Sequence, residues 1–486
     1  MADVRRQAVT RRAAGRQHDG SAPGGAGRPG TALVALSVAG AVVSLMQTLA
    51  LPLLPEFMRA FHASVATVSW VFTAALLAGA VATPLLSRFG DMYGKKKMML
   101  VALALLAVGS LICAVANSLG VLIAGRALQG VSAVLIPLAI GVIRDTFPRE
   151  RVTAAIGIVS ATLGVGSAFG MLFTGIIAQH TTNYHIVFWV SAVLGAAGLV
   201  LVAVLAPVTG GRAAGRPDVP GAVLLMGWLV CLLLAVTDGE SWGWASGRTI
   251  ALFAAAAAAC AVWVVTESRV REPLVRLKLL AGPRSLSANL ASLLLGFAMF
   301  AAFTLFSNLV QTPEATYGYG LSGSVLDVGL YLLPSTACSL IFAALVGRFE
   351  ARIGTAYTLS LGSVFVGLGL GWLAVSNSHV YDMLASSALQ GIGFGIGYAA
   401  LGTLAVQHVP MDSSAIASGV NSLVRTTGGS IGTAVTAALL TSYVIRGTVV
   451  PTLHAYVVSF AILAAGAGLA AAAAAWHGRR YGAGQA

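Results

Sequence analysis

Long apolar runs separated by short, polar and mostly basic connections organise this chain. The apolar residues neither alternate nor keep to one stripe of a helix; they fill whole segments. A helix needs about 20 such residues to cross the hydrocarbon core of a bilayer. Runs of this kind lie at 33–54, 65–86, 98–116, 119–143, 153–178, 186–207, 220–237, 249–266, 286–310, 325–347, 356–375, 380–405, 413–442 and 453–475. They predict an all-α polytopic membrane protein with fourteen spans. The two runs within 220–266 are short, and the run at 413–442 is long and rich in glycine.

The connections repeat. SRFGDMYG at 87–94 has a counterpart in GRFEARIG at 347–354, and ALQG at 127–130 returns at 388–391. The pair Gly166 and Gly170 returns as Gly428 and Gly432, and Phe147-Pro148 corresponds to Val409-Pro410. Four matches in one order, at offsets from 260 to 262, mark two copies of one unit. The halves fall at 31–208 and 284–476, with six runs in each. Between them, 209–283 holds a polar link (TGGRAAGRPDVP), two inserted helices and a basic segment reaching Pro283. A duplicated helical bundle with a cleft between its halves is the architecture of a secondary transporter.

Composition agrees: 57% of the residues are hydrophobic and 9% charged, too little charge to cover a water-soluble surface of this size. Basic residues set the orientation. With an even number of spans both termini share one side, where 24 Lys and Arg lie against three (Arg59, Arg248, Arg446) on the other. The positive-inside bias therefore places both termini in the cytoplasm, with the chain in the plasma membrane. The net charge of +13 follows from that bias and from contact with anionic lipid, and it calls for no nucleic-acid partner. Residues 1–30, rich in Arg, Gly and Ala, predict a disordered basic tail, and 477–486 a short cytoplasmic one. The apolar run after the N-terminal tail is span-length, which favours an uncleaved first helix over a signal peptide. Trp242 and Trp244, in the outer turn between the inserted helices, fit interfacial anchors.

Several chemistries are excluded or weak. Cys113, Cys231, Cys260 and Cys338 all sit in apolar runs, and the eight histidines lack metal-ligand spacing, so neither a disulfide framework nor a metal site is expected. G-x-S-x-G occurs around Ser241 and Ser430, but that motif carries meaning only between a strand and a helix. A GxxxxGK[ST] phosphate loop is absent. A polytopic enzyme acting on lipid would need His, Asp or Glu clustered at one membrane face, and neither face shows such a cluster.

Asp91, Gly94, Lys95 and Lys96 lie between spans two and three; Arg126, Gln129 and Gly130 follow in span four. Further on come the Trp-Gly-Trp turn, PLVRLKLL at 273–280, and Arg425 with GGSIG at 428–432. In this order, and with six plus two plus six spans, the chain resembles the fourteen-helix drug:proton antiporter branch of the major facilitator superfamily. The resemblance implies efflux of small hydrophobic or amphiphilic compounds by alternating access, driven by a proton gradient, with no cofactor and no obligate protein partner. A dedicated exporter of one metabolite and a transporter-like sensor without flux stay open beside it.

The resemblance also gives the residues roles. Gly94 permits the tight turn and the lysines after it hold the loop on the cytoplasmic face. Beyond that topogenic role, the family implies a latch: the Asp91 carboxylate against the N-terminus of a helix in the other half, by pseudo-symmetry the one starting near Ser413. Ser87 stands where the family has glycine, and Ala351 where the second copy has its acid, so the latch is expected on one side only. Arg126, with Gln129 one turn on, either clamps neighbouring helices through their carbonyls or lines the cavity; Arg425 with Asn421 is the parallel case. The glycine pairs 166/170 and 428/432 have close-packing spacing. Span one, SLMQTLALPLLP at 44–55, lacks the acid that many relatives of this branch carry. Asp327 is then the best candidate proton carrier, ahead of Asp382, although acids at helix ends reach water easily. Two buried arginines without a central carboxylate suit a neutral or weakly acidic amphiphile better than a cation.

Overall fold

In the computed structural model, which describes 29–481 apart from 51–52, 64, 181–182, 209–217, 271–272, 274–276, 278–281, 408, 411–413, 447 and 449, the chain is helical almost throughout. The N-terminal tail, most of the inter-half link and most of the PLVRLKLL motif lie outside the described residues. The first half runs through α1 (Pro29–Thr48), a short α2 (Leu54–Phe61), α3 (Val65–Tyr93) and α4 (Lys95–Ala114). It continues with α5 (Leu119–Gly130), α6 (Leu135–Thr146), α7 (Arg149–His180) and α8 (His185–Leu205). The inserted pair is α9 (Val219–Trp242) and α10 (Gly247–Arg269). The second half holds α11 (Pro283–Gln311), α12 (Glu314–Tyr317), α13 (Val325–Tyr331) and α14 (Leu333–Ile353). It ends with α15 (Thr355–Val375), α16 (Val380–Gln407), α17 (Ser414–Ser442) and α18 (Leu453–Tyr481).

Twelve spans among the described residues are long and apolar enough to cross a bilayer; α9, whose apolar stretch is Pro220–Val236, and α17 complete fourteen. α17 falls short in apolarity because it faces protein and cavity rather than lipid: Asn421, Ser418, Ser414 and Thr436 on it are all buried. The opposite pattern marks the lipid face, where Val193, Val200, Val204 and Leu469 are each more than half exposed. Such side chains outside and paired polar groups inside are what a hydrocarbon solvent selects.

Four expectations about boundaries change. The fourth span is not one helix: a 3-10 turn at Val131–Val134 joins α5 to α6, so the crossing runs from Leu119 to Thr146. The tenth breaks at Leu332, because Pro334 in the first turn of α14 has no N–H to continue the ladder. The turn expected from residue 237 is helical as far as Trp242, where Gly243, at φ 88°, ends α9. The amphipathic α2, too short for a span, was not legible as an apolar run; it seats Phe57 against Tyr184 and Phe188.

Each half has its own apolar core. One gathers Leu36, Met46, Leu103, Leu138 and Phe188, the other Leu295, Leu305, Phe394, Phe460 and Leu463. Glycines set the helix spacing, and they do so twice. A methyl at Gly166 or Gly170 on α7 would overlap the carbonyls of Ala41 or Leu45 on α1; at Gly428 or Gly432 on α17 it would overlap those of Leu293 or Phe297 on α11. The repeated ALQG behaves alike: Gly130 lies on the Ala75 carbonyl and Gly391 on that of Ser335. The octets too end alike, in Gly94 at φ 108° and Gly354 at φ 80°. The inserted pair docks through α9 on the seam between α3 and α17, with Leu225 and Leu229 packed near Ala80, Ile416 and Leu423. α10 sits outside α9, joined to it by Trp228 and Trp263 at 6.0 Å between ring centroids.

Because Gly130 meets backbone rather than a yielding side chain, Gly130→Val should destabilise the first half by about 3 kcal/mol or more. Gly120→Val, at a site with nothing within 4 Å, should be close to neutral. Thermal midpoints and the monodisperse fraction of the two variants in detergent check this.

Candidate functional site

Between the halves lies a cavity of about 340 Å³. Its wall draws on α1, α3, α5 and α7 from one half and on α11, α16 and α17 from the other. The lining is largely apolar and small, with Phe72, Phe300, Phe303, Phe394 and Tyr398 as its aromatic members. Its charged members are Arg126 and Arg425, one from each half; no carboxylate appears among the described lining residues.

Arg126, 2% exposed, is held by its own half. Nη1 donates to the Met46 carbonyl at 3.0 Å and to Gln129 Oε1 at 2.8 Å, while Nε donates to the Val71 carbonyl at 3.2 Å. Gln129 Nε2 in turn donates to Ser110 Oγ at 2.7 Å. The Met46 carbonyl lies in the last turn of α1, where a helix has no N–H left to offer its own carbonyls. The arginine therefore both clamps α1, α3 and α5 and borders the cavity: the two readings open at the sequence level describe one residue.

Arg425 differs. Its Nη2 donates to Ser422 Oγ at 3.3 Å, its guanidinium lies over the Tyr398 ring at 4.8 Å, and its Nε is buried without an acceptor. The structure does not bring Asn421 to it. Asn421 turns the other way, accepting from Ser292 Oγ at 3.3 Å and donating to Asn289 Oδ1 at 3.3 Å, and so ties α17 to α11 outside the cavity lining.

At the end of the bundle that carries the basic loops, the halves close on each other. The buried Asp91 carboxylate accepts from the N–H groups of Ala415 at 3.3 Å and Ile416 at 3.1 Å, in the first turn of α17. That is an anion at a helix N-terminus, reaching across halves. Lys95 Nζ lies 3.1 Å from Asp91 Oδ1 and 2.7 Å from Asp145 Oδ2, almost wholly buried. Arg144 Nη2 donates to the Val409 carbonyl at 2.5 Å, and Gly419 presses on Ser87. Ser87, in place of the family's glycine, is thus part of the closed face. Lys96 is not: its Nζ donates to the Ala206 carbonyl at 2.7 Å, fastening α8 within one half.

Three further carboxylates lie outside the cavity lining. Asp327 lies outside the cavity lining: in a capping box at the start of α13, its Oδ2 accepts from Ser324 N and Oγ, both at 2.7 Å. This placement corrects the expectation of a cavity carrier, because a carboxylate occupied in a helix cap serves the fold first. Glu350, in the second octet and in the last turns of α14, reaches Thr153 of the first half together with Thr355 and Thr403, and its Oε1 is buried without a partner. Only the tertiary fold reveals that contact. Asp382 is buried and caps α16 through Ser376, Trp372 and His379. Ser430 donates to the Thr426 carbonyl at 3.2 Å inside α17, so its G-x-S-x-G has no nucleophile geometry.

A family model described as "Major Facilitator Superfamily" matches residues 36–433. The tetracenomycin C resistance and export protein of Streptomyces glaucescens is 30% identical over 424 residues, covering 86% of this chain and 77% of that protein. The multidrug resistance protein Stp of Mycobacterium tuberculosis (strain CDC 1551 / Oshkosh) is 29% identical over 393 residues, covering 80% and 72%. The crystal structure of the human organic anion transporter MFSD10 (TETRAN) matches with a TM-score of 0.63 at 14% identity, over 92% of this chain and 99% of that one, a likeness of fold. With the duplicated bundle, the inter-half cavity and these relatives, the chain belongs to the major facilitator superfamily of membrane transporters.

Proposed function

We propose that the chain is a secondary active exporter that moves small amphiphilic compounds, neutral or weakly acidic, out of the cytoplasm by alternating access. The basic end is read as cytoplasmic, with the protein in the plasma membrane and lipid as its only obligatory neighbour. The observation that carries the reading is the cavity between two separately packed halves, closed at its basic end by the Asp91 contact with α17.

The physics of the gate follows from its charges. Asp91, Lys95 and Asp145 pair within the first half, and the N–H groups of the first turn of α17 join them only while the halves are together at this end. Opening moves the α17 N–H groups away from Asp91 and admits water to replace them. Breaking a buried, paired charge cluster without such water costs about 3–5 kcal/mol. The gate therefore opens with hydration, which ties it to filling of the cavity from the cytoplasm.

A proton gradient supplies the energy in this reading. No described lining residue is a carboxylate, so the coupling group is sought outside the cavity, among the buried acids at the gate. Glu350, with an oxygen left unpartnered between the halves, is the first of these to test. A dedicated exporter of a single compound is the second reading; the name of the Streptomyces relative, an export protein for one compound, favours it.

In proteoliposomes, an inward proton gradient should accelerate efflux of amphiphilic compounds several-fold over matched vesicles without one. Flux equal at both gradients removes the proton coupling, and no flux at all leaves the sensor reading instead. Breadth across a substrate panel separates the multidrug from the dedicated exporter. Asp91→Asn, which removes the charge offered to α17, should slow efflux about tenfold or more at normal protein levels. An unchanged rate in that variant sinks the latch.

A further inference from the structure

The cavity's two arginines are held so differently that they cannot do the same work. Arg126 gives hydrogen bonds to two carbonyls and a side-chain amide of its own half, and it is shut away from solvent. Arg425 has a single long bond to Ser422 Oγ at 3.3 Å, and its buried Nε has no acceptor. Tyr398 stacks on the guanidinium at 4.8 Å, a contact that uses the face of the group and leaves its edge donors unengaged. A guanidinium stays protonated in a protein however deep it lies. Among the described residues no carboxylate joins the lining, and its charge is answered by a ring and a hydroxyl.

The surroundings specify what would complete it. Phe303 lies 6.0 Å from Phe394, and Phe394 6.4 Å from Tyr398, ring centroid to centroid, so an aromatic wall runs up to the arginine. Phe300 extends that wall on α11, held against Gly429 of α17. All of these residues belong to the second half.

We infer that Arg425 is the docking point for an acidic group on the exported compound, and that the cargo is an aromatic organic anion. A planar oxyanion, carboxylate or phenolate, takes the fork of edge donors, and the ring system lies along Phe303, Phe394 and Tyr398. Arg126, already satisfied, is the clamp that shapes the pocket from the other side. This inference rests on the export reading and narrows it from weakly acidic amphiphiles to compounds that travel in their charged form. A consequence for energetics follows. An anion leaving a negative-inside cell moves down the membrane potential, worth about fiftyfold in concentration ratio per 100 mV for one charge. Exchange for an incoming proton moves charge in the same sense, so the two drives add.

The test uses the full chain in proteoliposomes and three matched probes: naphthoate, its methyl ester and naphthylmethylammonium. Wild type should transport naphthoate best, and an imposed potential, positive on the side that receives it, should accelerate naphthoate, which moves two charges per exchange with one proton, more steeply than the ester, which moves one. Arg425→Gln should lower the ratio of naphthoate to ester transport by about tenfold or more, and Arg425→Lys should restore part of it. Equal losses for acid and ester, or rescue of neither by lysine, give Arg425 a structural role and overturn the inference. Preference for the ammonium probe overturns it as well. Transport of the ester with no preference for the acid refutes anion docking and leaves the exporter standing. Transport of none of the three probes removes the export reading, and anion docking with it.

Discussion

A charge placed in hydrocarbon must be answered by protein or by cargo, and this constraint sets where Arg126 and Asp91 sit. Arg126 is answered by carbonyls that a helix end and a neighbouring helix make available. Asp91 is answered by the first turn of α17 and by Lys95. The two solutions differ in one respect. Arg126 finds its partners Met46, Val71 and Gln129 inside one half, so they travel with it when the halves move. Asp91 finds half of its partners across the divide. The first arrangement makes a permanent brace, the second a contact that exists in one state of the molecule.

The glycine seams explain why the halves can move as units. Where α7 meets α1, and α17 meets α11, backbone lies on backbone, and polar side chains add cross-links such as Thr48 Oγ1 to the Ser167 carbonyl at 2.9 Å. Surfaces that fit this closely repack in steps rather than sliding freely. Across the halves α7 packs closely too, Gly157 lying on the Ala343 carbonyl of α14, but at the basic end the contacts are polar: a carboxylate on a helix end, an arginine on a carbonyl, a serine on a glycine. The polar contacts are replaceable by water, one group at a time.

Much of this was legible in the chain. Span number, duplication and the helix opposite Asp91 follow from run length and from the pseudo-symmetry of four short motifs, because membrane helices announce themselves by composition. Arg126, Gln129 and Arg425 stand out as polar residues in apolar runs. Asp327 misleads for a local reason: Ser324 and Asp327 form an S-x-x-D cap signature, which a search for buried acids overlooks. Asn421 shares a helix face with Arg425, yet a side chain on α11 claims it, and helical spacing cannot foresee that. Glu350 lies just past the run at 325–347, and two of its partners, Thr153 on α7 and Thr403 on α16, come from runs distant in sequence. What periodicity fixes is which residues share a helix; which helices share a residue is decided by packing.

The separation of roles along α17 has a consequence for how such a protein can change over generations. Gly428 and Gly432, on the seam with α11, admit almost no alternative side chain. Arg425, Thr426 and Thr433, on the same helix, border the cavity. Cargo preference and architecture are thus inscribed in interleaved but different positions, sometimes one residue apart. A lineage can exchange one chemical clientele for another by altering the cavity letters, and keep a scaffold whose duplicated seams hardly drift.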